Sequence, residues 1–151
     1  MNLILRRARA VPEVCYLVVV LVAGCILVSC GSSSKNIQLA QDSVGLFHAQ
    51  LGTEQYSSIY SGTDEKFRSA TTELEFTKLL QAVHNKLGTV RESNLQNTGV
   101  AWFAGQGATV TLVYHTKFSD GAGSEQFVWH IKDSQATLYS YRINSNDLIA
   151  K

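Results

Sequence analysis

Four histidines are the first candidates for metal ligands, acids or bases near neutral pH in this chain. His48 directly follows Phe47, and His84 directly follows Val83, in two segments with helical periodicity. A histidine at the flank of a buried helical stripe is usually held by a neighbouring polar group. We therefore expect both to be structural residues rather than metal ligands or catalytic bases.

His115 and His130 fall on two segments that are predicted to pair as antiparallel strands. If Phe118 pairs with Glu125, the two imidazoles are diagonal neighbours about 7–8 Å apart at the backbone, where they could share a metal ion or bind an anion. Zinc sites use more protein ligands than this pair supplies. The same face carries Thr109, Thr111, Lys117, Gln126 and Lys132. Because no carboxylate joins them, we predict a solvated or dimer-forming face, with no metal and no cofactor.

Acid–base catalysis inside the domain would need a carboxylate beside hydrogen-bond donors such as tyrosine hydroxyls. We expect the tyrosines to be core aromatics, and none of the acidic residues near the ends of predicted elements matches a catalytic motif. The residues concerned are Tyr56, Tyr60, Tyr114, Tyr139, Tyr141, Asp64, Glu92 and Glu125. Gly105-Gln106-Gly107 lacks the third glycine of a dinucleotide-binding loop. No catalytic residue is assigned.

The N-terminal segment is basic, then apolar, and then ends in a cysteine, which is the order of a secretory signal peptide. Its parts are Arg6, Arg7 and Arg9, the apolar residues 14–28, and the tetrapeptide Leu27, Val28, Ser29 and Cys30. The tetrapeptide resembles the lipobox of bacterial lipoproteins, in which the cysteine is lipidated and becomes the first residue of the mature protein. This resemblance implies a cleaved signal peptide over residues 1–29, a lipid on Cys30, and a polar tether over residues 30–35.

The alternatives are a transmembrane anchor, an ordinary secretory signal, and a second lipobox-like tetrapeptide that ends at Cys25. A membrane-crossing helix needs about 20 apolar residues, and Pro12 and Glu13 interrupt the run before it reaches that length. An ordinary signal needs no cysteine at its cleavage site. Cleavage before Cys25 would leave an apolar stretch exposed after the anchor. Cleavage before Cys30 also removes Cys15 and Cys25, so the mature protein would have neither a free thiol nor a disulfide.

The full chain has a net charge of +1. Without residues 1–29 it keeps 10 basic and 11 acidic residues, a net charge of −1, with no run of either sign, so the mature protein would lack the basic patch that nucleic-acid binding requires. We therefore expect no nucleic-acid partner. Gly31 and Ser32 follow Cys30, in place of the aspartate that resembles an inner-membrane retention signal in enteric bacteria. The expected location is the periplasmic leaflet of the outer membrane in a Gram-negative host, or the outer face of the cell membrane in a Gram-positive one.

The pattern after the tether indicates helices first. One helix is predicted over residues 37–51, and two short helical segments over residues 53–70. A longer helix starts at a capping box formed by Thr72 and Glu75 and ends at Gly88. The predicted buried stripes are Ile37, Ala40, Val44, Phe47 and Leu51 in the first helix, and Phe76, Leu79, Leu80, Val83 and Leu87 in the last.

After Gly88 the apolar period changes to two, which indicates strands. They are predicted over residues 89–103 (with a bulge or loop at 94–99), 107–118, 124–132 and 136–144, with a turn at 119–123. Pairing Phe118 with Glu125 would place Tyr114 opposite Trp129 and make the apolar faces of the middle strands coincide. Helices followed by antiparallel strands indicate an α+β domain over residues 36–151, with the helices packed on one face of the sheet.

This order resembles the nuclear transport factor 2-like group of cone-shaped α+β domains, to which ketosteroid isomerase is similar in fold. The resemblance spans residues 36–145 and is carried by Tyr56, Ile59, Tyr60, Phe67, Leu87, Gly88, Tyr141 and Ile143. It implies a curved antiparallel sheet of about four strands. Small bacterial lipoproteins of unknown function look similar at these positions.

The favoured functional interpretation is a membrane-anchored, non-catalytic module of the bacterial envelope that binds a small apolar ligand or an envelope protein. One alternative is an enzyme similar to ketosteroid isomerase that uses the pocket of the cone. The other is a structural protein that forms a homodimer through its sheet face. A buried ionisable side chain at the bottom of an open pocket would favour the enzyme.

Overall fold

The computed structural model describes the backbone of residues 29–150 and the side chains of residues 32–149. The predicted signal peptide, including Leu27 and Val28, lies outside the described residues, as do the side chains of Ser29 and Cys30. Ser34–Lys151 forms one compact unit of the chain. Within residues 29–150, no helix combines the length and the apolar character needed to cross a membrane.

Within the described residues, four helices precede the sheet: α1 (Ser29–Gly52), α2 (Tyr56–Ser61), α3 (Glu65–Ala70) and α4 (Glu73–Leu87). In α1 the predicted stripe is buried at Ala40, Val44, Phe47 and Leu51. The helix extends further toward the N-terminus than predicted, since the described backbone is already helical from Ser29. Residues 31–35, predicted to be a polar tether, are therefore helical, with a rise of about 1.5 Å per residue.

The capping box of α4 is confirmed. The Thr72 hydroxyl accepts from the Glu75 backbone N–H, and the Glu75 carboxylate accepts from the Thr72 backbone N–H. The predicted stripe is buried at Phe76, Leu80, Val83 and Leu87. Leu79 was assigned to it wrongly, since 38% of this residue is exposed and it lies at the flank of the buried face.

Four antiparallel strands follow in the spatial order β1-β2-β3-β4, and a short helix, α5 (Asn146–Ala150), ends the described part. The strands are β1 (Val90–Phe103), β2 (Gly107–Phe118), β3 (Ala122–Lys132) and β4 (Gln135–Asn144). Residues 94–99 remain in β1, and the irregularity predicted there is a register shift between Leu95 and Asn97. The predicted α+β class is thus confirmed.

The predicted register between β2 and β3 is wrong. Tyr114 pairs with Glu125 rather than with Trp129, and Leu112 pairs with Phe127. The turn is tighter than residues 119–123, because the Phe118 N–H donates to the Gly121 carbonyl at 2.8 Å and β3 already begins at Ala122. The shift is an even number of residues, so the apolar side chains stay on one face.

The core lies between this face of the sheet and the helices. The Phe47 ring of α1 packs edge-on against Phe127 of β3, with ring centroids 5.1 Å apart. It also contacts Tyr141 of β4 at 4.8 Å, and Phe76 of α4 reaches Tyr141 at 6.3 Å. The buried apolar residues of α1, α2, α4 and the sheet form one cluster, so these three helices pack on the same face of the sheet.

Candidate functional sites: an enclosed carboxylate, a small cavity and an outer-face histidine

A carboxylate lies inside the core. Glu125 of β3 is 0% exposed, because strand alternation places it on the same face as Phe127, Trp129 and Ile131. Burial of a charged group is costly unless it is paired and hydrogen-bonded. The environment of Glu125 therefore determines whether it is a structural or a chemical group.

Both oxygens of this carboxylate have partners from three different elements. Oε2 lies 2.8 Å from Nε2 of His48 in α1 and accepts from the Thr116 hydroxyl of β2 at 2.5 Å. Oε1 accepts from the Tyr141 hydroxyl of β4 at 2.8 Å. Thr116 in turn lies 3.1 Å from the Ser93 hydroxyl of β1. The cluster thus links the helix to the sheet through charge-assisted hydrogen bonds.

In the hydrogen bond between Tyr141 and Glu125, the Tyr141 hydroxyl is the donor. Burial raises the pKa of this phenol well above its ordinary value, and the nearby charge of Glu125 and the hydrogen bond to it raise the pKa further. The phenol therefore keeps its proton across the physiological range.

A cavity of about 140 Å³ lies between α1, α2 and the strands β3 and β4. Its walls are Ser43, Leu46, Phe47, Gln50, Ser58, Ile59, Gly62, Trp129, Ala136 and Leu138. Neither Glu125 nor any of its hydrogen-bonding partners lines it. Trp129 does, and its indole N–H is buried with no partner among the described residues. An unpaired buried donor is costly, so this N–H, on a residue that lines the cavity, would gain from an acceptor.

On the opposite face of the sheet, His130 bridges two acceptors. Its Nδ1 lies 2.9 Å from Oδ2 of Asp64, and its Nε2 lies 2.6 Å from the carbonyl oxygen of Gln106. Asp64 is the N-cap of α3 and also accepts from the Lys66 backbone N–H. Because a carboxylate and a carbonyl can only accept, both bonds are made at once only by the doubly protonated imidazolium.

Each member of the His130–Asp64 pair shifts the pKa of the other so that both favour their charged forms. The bond to the Gln106 carbonyl raises the pKa of His130, and the hydrogen bond and charge of Asp64 add to the rise. Partial burial raises the pKa of Asp64, but the bonds from His130 and the Lys66 N–H outweigh it, and the pKa of Asp64 lies below its ordinary value. His130 also borders two shallow grooves. One, of about 350 Å³, contains Lys66, Phe103 and Tyr139; the other, of about 210 Å³, contains Asp64, Lys132 and Asp133.

The predicted proximity of His115 and His130 is wrong. His130 pairs with Thr109 of β2, whereas His115 pairs with Ser124 of β3. The two histidines are six positions apart along the strands, or roughly 20 Å at about 3.3 Å per residue. The cause is the tighter turn described above. Among the described residues, no group of three or more His, Cys, Asp or Glu side chains could hold a metal ion.

The helix histidines have polar neighbours, as expected. His84 lies 3.5 Å from the exposed carboxylate of Glu54, although its buried Nδ1 has no partner in the described part of the chain. His48 is held by Glu125, a partner that the sequence analysis missed. The inward parity of position 125 on its strand was the available signal, but the incorrect register hid which residues surround it.

Comparison with known proteins adds no assignment. No known family model matches the sequence, and no curated protein is similar enough to count as a relative.

Proposed function

We propose that this chain is a lipid-anchored protein of the bacterial envelope whose domain belongs to the nuclear transport factor 2-like group and binds a small ligand without turning it over. The lipobox-like tetrapeptide ending at Cys30 supports the anchor. The order of helices and the four-stranded antiparallel sheet are compatible with the proposed fold group. The ligand site is the cavity between α1, α2 and β3–β4, called the helix–sheet cavity below.

The observation that carries the ligand proposal is the unpaired indole N–H of Trp129 beside this cavity. A volume of about 140 Å³ is close to that of a cavity that admits benzene. Phe47, Ile59 and Leu138 supply apolar walls. The fitting ligand is therefore a small, mainly apolar molecule with one carbonyl or ether oxygen, which accepts from Trp129 and removes the cost of the orphan donor.

The enclosed state of Glu125 supports a binding role over catalysis. A general base must come within hydrogen-bond reach of the proton it abstracts. Both Glu125 oxygens are already occupied by His48, Thr116 and Tyr141, and the helix–sheet cavity does not reach the carboxylate. In this arrangement the cluster stabilises the packing of α1 on the sheet.

An enzyme similar to ketosteroid isomerase is the second candidate, and the same cluster is what favours it. A buried carboxylate within 2.8 Å of a tyrosine hydroxyl is a pairing that can transfer or polarise protons when a substrate reaches it. This candidate requires a path from solvent to Glu125. Exchange of α-protons of small ketones for deuterium, lost in Glu125→Gln, would favour it and would contradict the non-catalytic proposal.

The ligand proposal is tested with two probes of similar shape, acetophenone and ethylbenzene, of which only the first has a carbonyl oxygen. In the full chain carrying Trp102→Phe, Trp129 is the single tryptophan and its fluorescence reports on the cavity. We expect acetophenone to bind roughly fivefold more tightly, since one hydrogen bond contributes about 1 kcal/mol. Trp129→Phe, followed by the thermal shift each probe produces, should abolish this preference while retaining binding of ethylbenzene.

A variant that fills the cavity, Ile59→Phe, should bind neither probe. Equal binding of both probes to the tryptophan-containing protein would refute the role of Trp129, and no binding of either would refute the site. The anchor is tested separately. The full chain should float with membranes after expression in bacteria, and Cys30→Ala should move it to the soluble fraction.

A further inference from the structure

Two large aromatic side chains are exposed at the end of β1. Trp102 and Phe103 each show 54% of their surface to solvent, although both lie in a strand that pairs with β2 as far as Gly107. Because successive strand residues point to opposite faces, the tip of the β1–β2 hairpin presents one ring on each face. Exposed neighbouring aromatics of this kind mark interaction sites.

The direction of α1 shows which end of the domain carries this tip. The C-terminal Gly52 lies beside Thr89, whose carbonyl accepts from the Ser119 N–H in the β2–β3 turn. Further back along α1, Ser43 lines the same cavity as Ala136, which is near the start of β4. The helix therefore runs from the β1–β2 end of the sheet to the β2–β3 end. Its N-terminal side, where the chain leaves the unit at Ser34, points toward the end with Trp102 and Phe103.

The hairpin tip is held rigidly on the sheet. Gly107 packs so closely on β3 that a Cβ placed on it would lie 2.3 Å from the Ile131 carbonyl oxygen. Gln106 is bonded through its carbonyl to His130. A rigid tip presents its aromatic rings with little loss of conformational freedom on binding, which favours association.

We propose that the β1–β2 tip, through Trp102 and Phe103, docks into the interfacial layer of the bilayer that carries the protein. Tryptophan and phenylalanine are the side chains that peripheral proteins insert at the boundary between headgroups and acyl chains. The proposal rests on the proposed lipid anchor at Cys30, since the anchor brings this end of the domain to the membrane. Anchor and tip together would fix the tilt of the domain on the surface.

The experiment uses the full lipidated chain in vesicles of phosphatidylethanolamine and phosphatidylglycerol. The chain has two tryptophans, and Trp129 is only 5% exposed, so Trp129→Phe leaves Trp102 as the single reporter. We expect Trp102 emission to shift to shorter wavelength in vesicles and to be quenched by lipids brominated on their acyl chains. In the wild-type protein the emission of Trp102 should be quenched in the same way. This control shows that the quenching does not result from unfolding of the variant.

A matched control places the reporter at the other end of the domain. Ile149 is 83% exposed in α5, and the neighbouring Asp147 accepts from Ala122 N–H at the start of β3. Ile149→Trp, in a chain that also carries Trp102→Phe and Trp129→Phe, should show no quenching. Equal quenching at both positions, or none at Trp102 in protein that floats with the vesicles, would overturn the tip proposal and leave the anchor intact. Protein that does not float at all would overturn both.

Discussion

His48 and Glu125 are 77 positions apart in the sequence, yet Nε2 of the first lies 2.8 Å from Oε2 of the second. Glu125 is fully buried, and 10% of the His48 side chain is exposed. The contact joins α1 to the second-to-last strand of the sheet from inside the core. It specifies how the helix is placed along the sheet more strictly than the surrounding apolar contacts, because hydrogen bonds depend on direction as well as distance.

Removing this carboxylate should strongly destabilise the fold. Glu125→Ala leaves His48, Thr116 and Tyr141 without their acceptor, and breaking a buried charged pair costs about 3–5 kcal/mol. Chemical denaturation of the full chain measures the free energy of unfolding. The control is Glu92→Ala, which removes the acceptor of the surface pair with Lys117 and should have a much smaller effect. Similar losses in both variants would show that the interior cluster is not a stabilising element.

The two hydrogen bonds of His130 on the outer face, to the Asp64 carboxylate and to the Gln106 carbonyl, should make stability depend on pH. Asp64 has a lowered pKa, so its contribution is complete above its ordinary value of 3.8 and is lost as the pH falls through the lowered value. His130 has a raised pKa, so its contribution is complete below its ordinary value of 6.5 and is lost as the pH rises through the raised value. The stabilisation is therefore greatest between 3.8 and 6.5.

His130→Gln tests this dependence, since glutamine can donate one hydrogen bond but has no charge. Unfolding by urea should show the wild type exceeding the variant in stability by roughly 1 kcal/mol in mildly acidic buffer, with the difference shrinking in alkaline buffer. Lys66 and Lys132 also face this region. A difference that is constant with pH would show that His130 does not titrate against its two acceptors.

Two glycines should respond in opposite directions to alanine. Gly107 has φ +91° and would place its new Cβ 2.3 Å from the Ile131 carbonyl, so Gly107→Ala should cost more than about 1 kcal/mol. Gly45, inside α1, has nothing within 4 Å of a new Cβ, so Gly45→Ala should stabilise by about 0.5–1 kcal/mol. Shifts of the thermal midpoint measure both. Destabilisation by Gly45→Ala would contradict an open helical environment there.

The start of α4 should depend on the hydroxyl of Thr72. Thr72→Ala removes the acceptor of the Glu75 N–H and should cost about 1 kcal/mol, measured by denaturant unfolding. Thr72→Ser keeps a hydroxyl at the same place and should retain most of the stability. If the serine variant lost as much as the alanine variant, packing of the Thr72 methyl group rather than capping would explain the effect.

Most of the fold prediction came from patterns among residues that are close in the sequence. The 3-and-4 spacing of Ala40, Val44, Phe47 and Leu51 was sufficient to place the buried face of α1, because a helix has a fixed period. Thr72 with Glu75 identified a helix start for the same kind of reason, since the capping bonds join residues only three apart. The helical state of residues 29–35 was missed, because these residues carry no apolar period. They are helical by continuity with the stripe rather than through a pattern of their own.

By itself the sequence determined the class of elements, their order, and which side chains of each strand point inward, because helix and strand periods are properties of neighbouring residues. The tertiary structure alone decided the register of β2 on β3, since one tight turn at Phe118 and Gly121 shifts every pair along the strands while leaving the alternation unchanged. That shift separates His115 from His130. The fold likewise brings His48, Thr116 and Tyr141 around Glu125, and Asp64 and Gln106 around His130. These contacts join residues that are distant in sequence, and no local period encodes them.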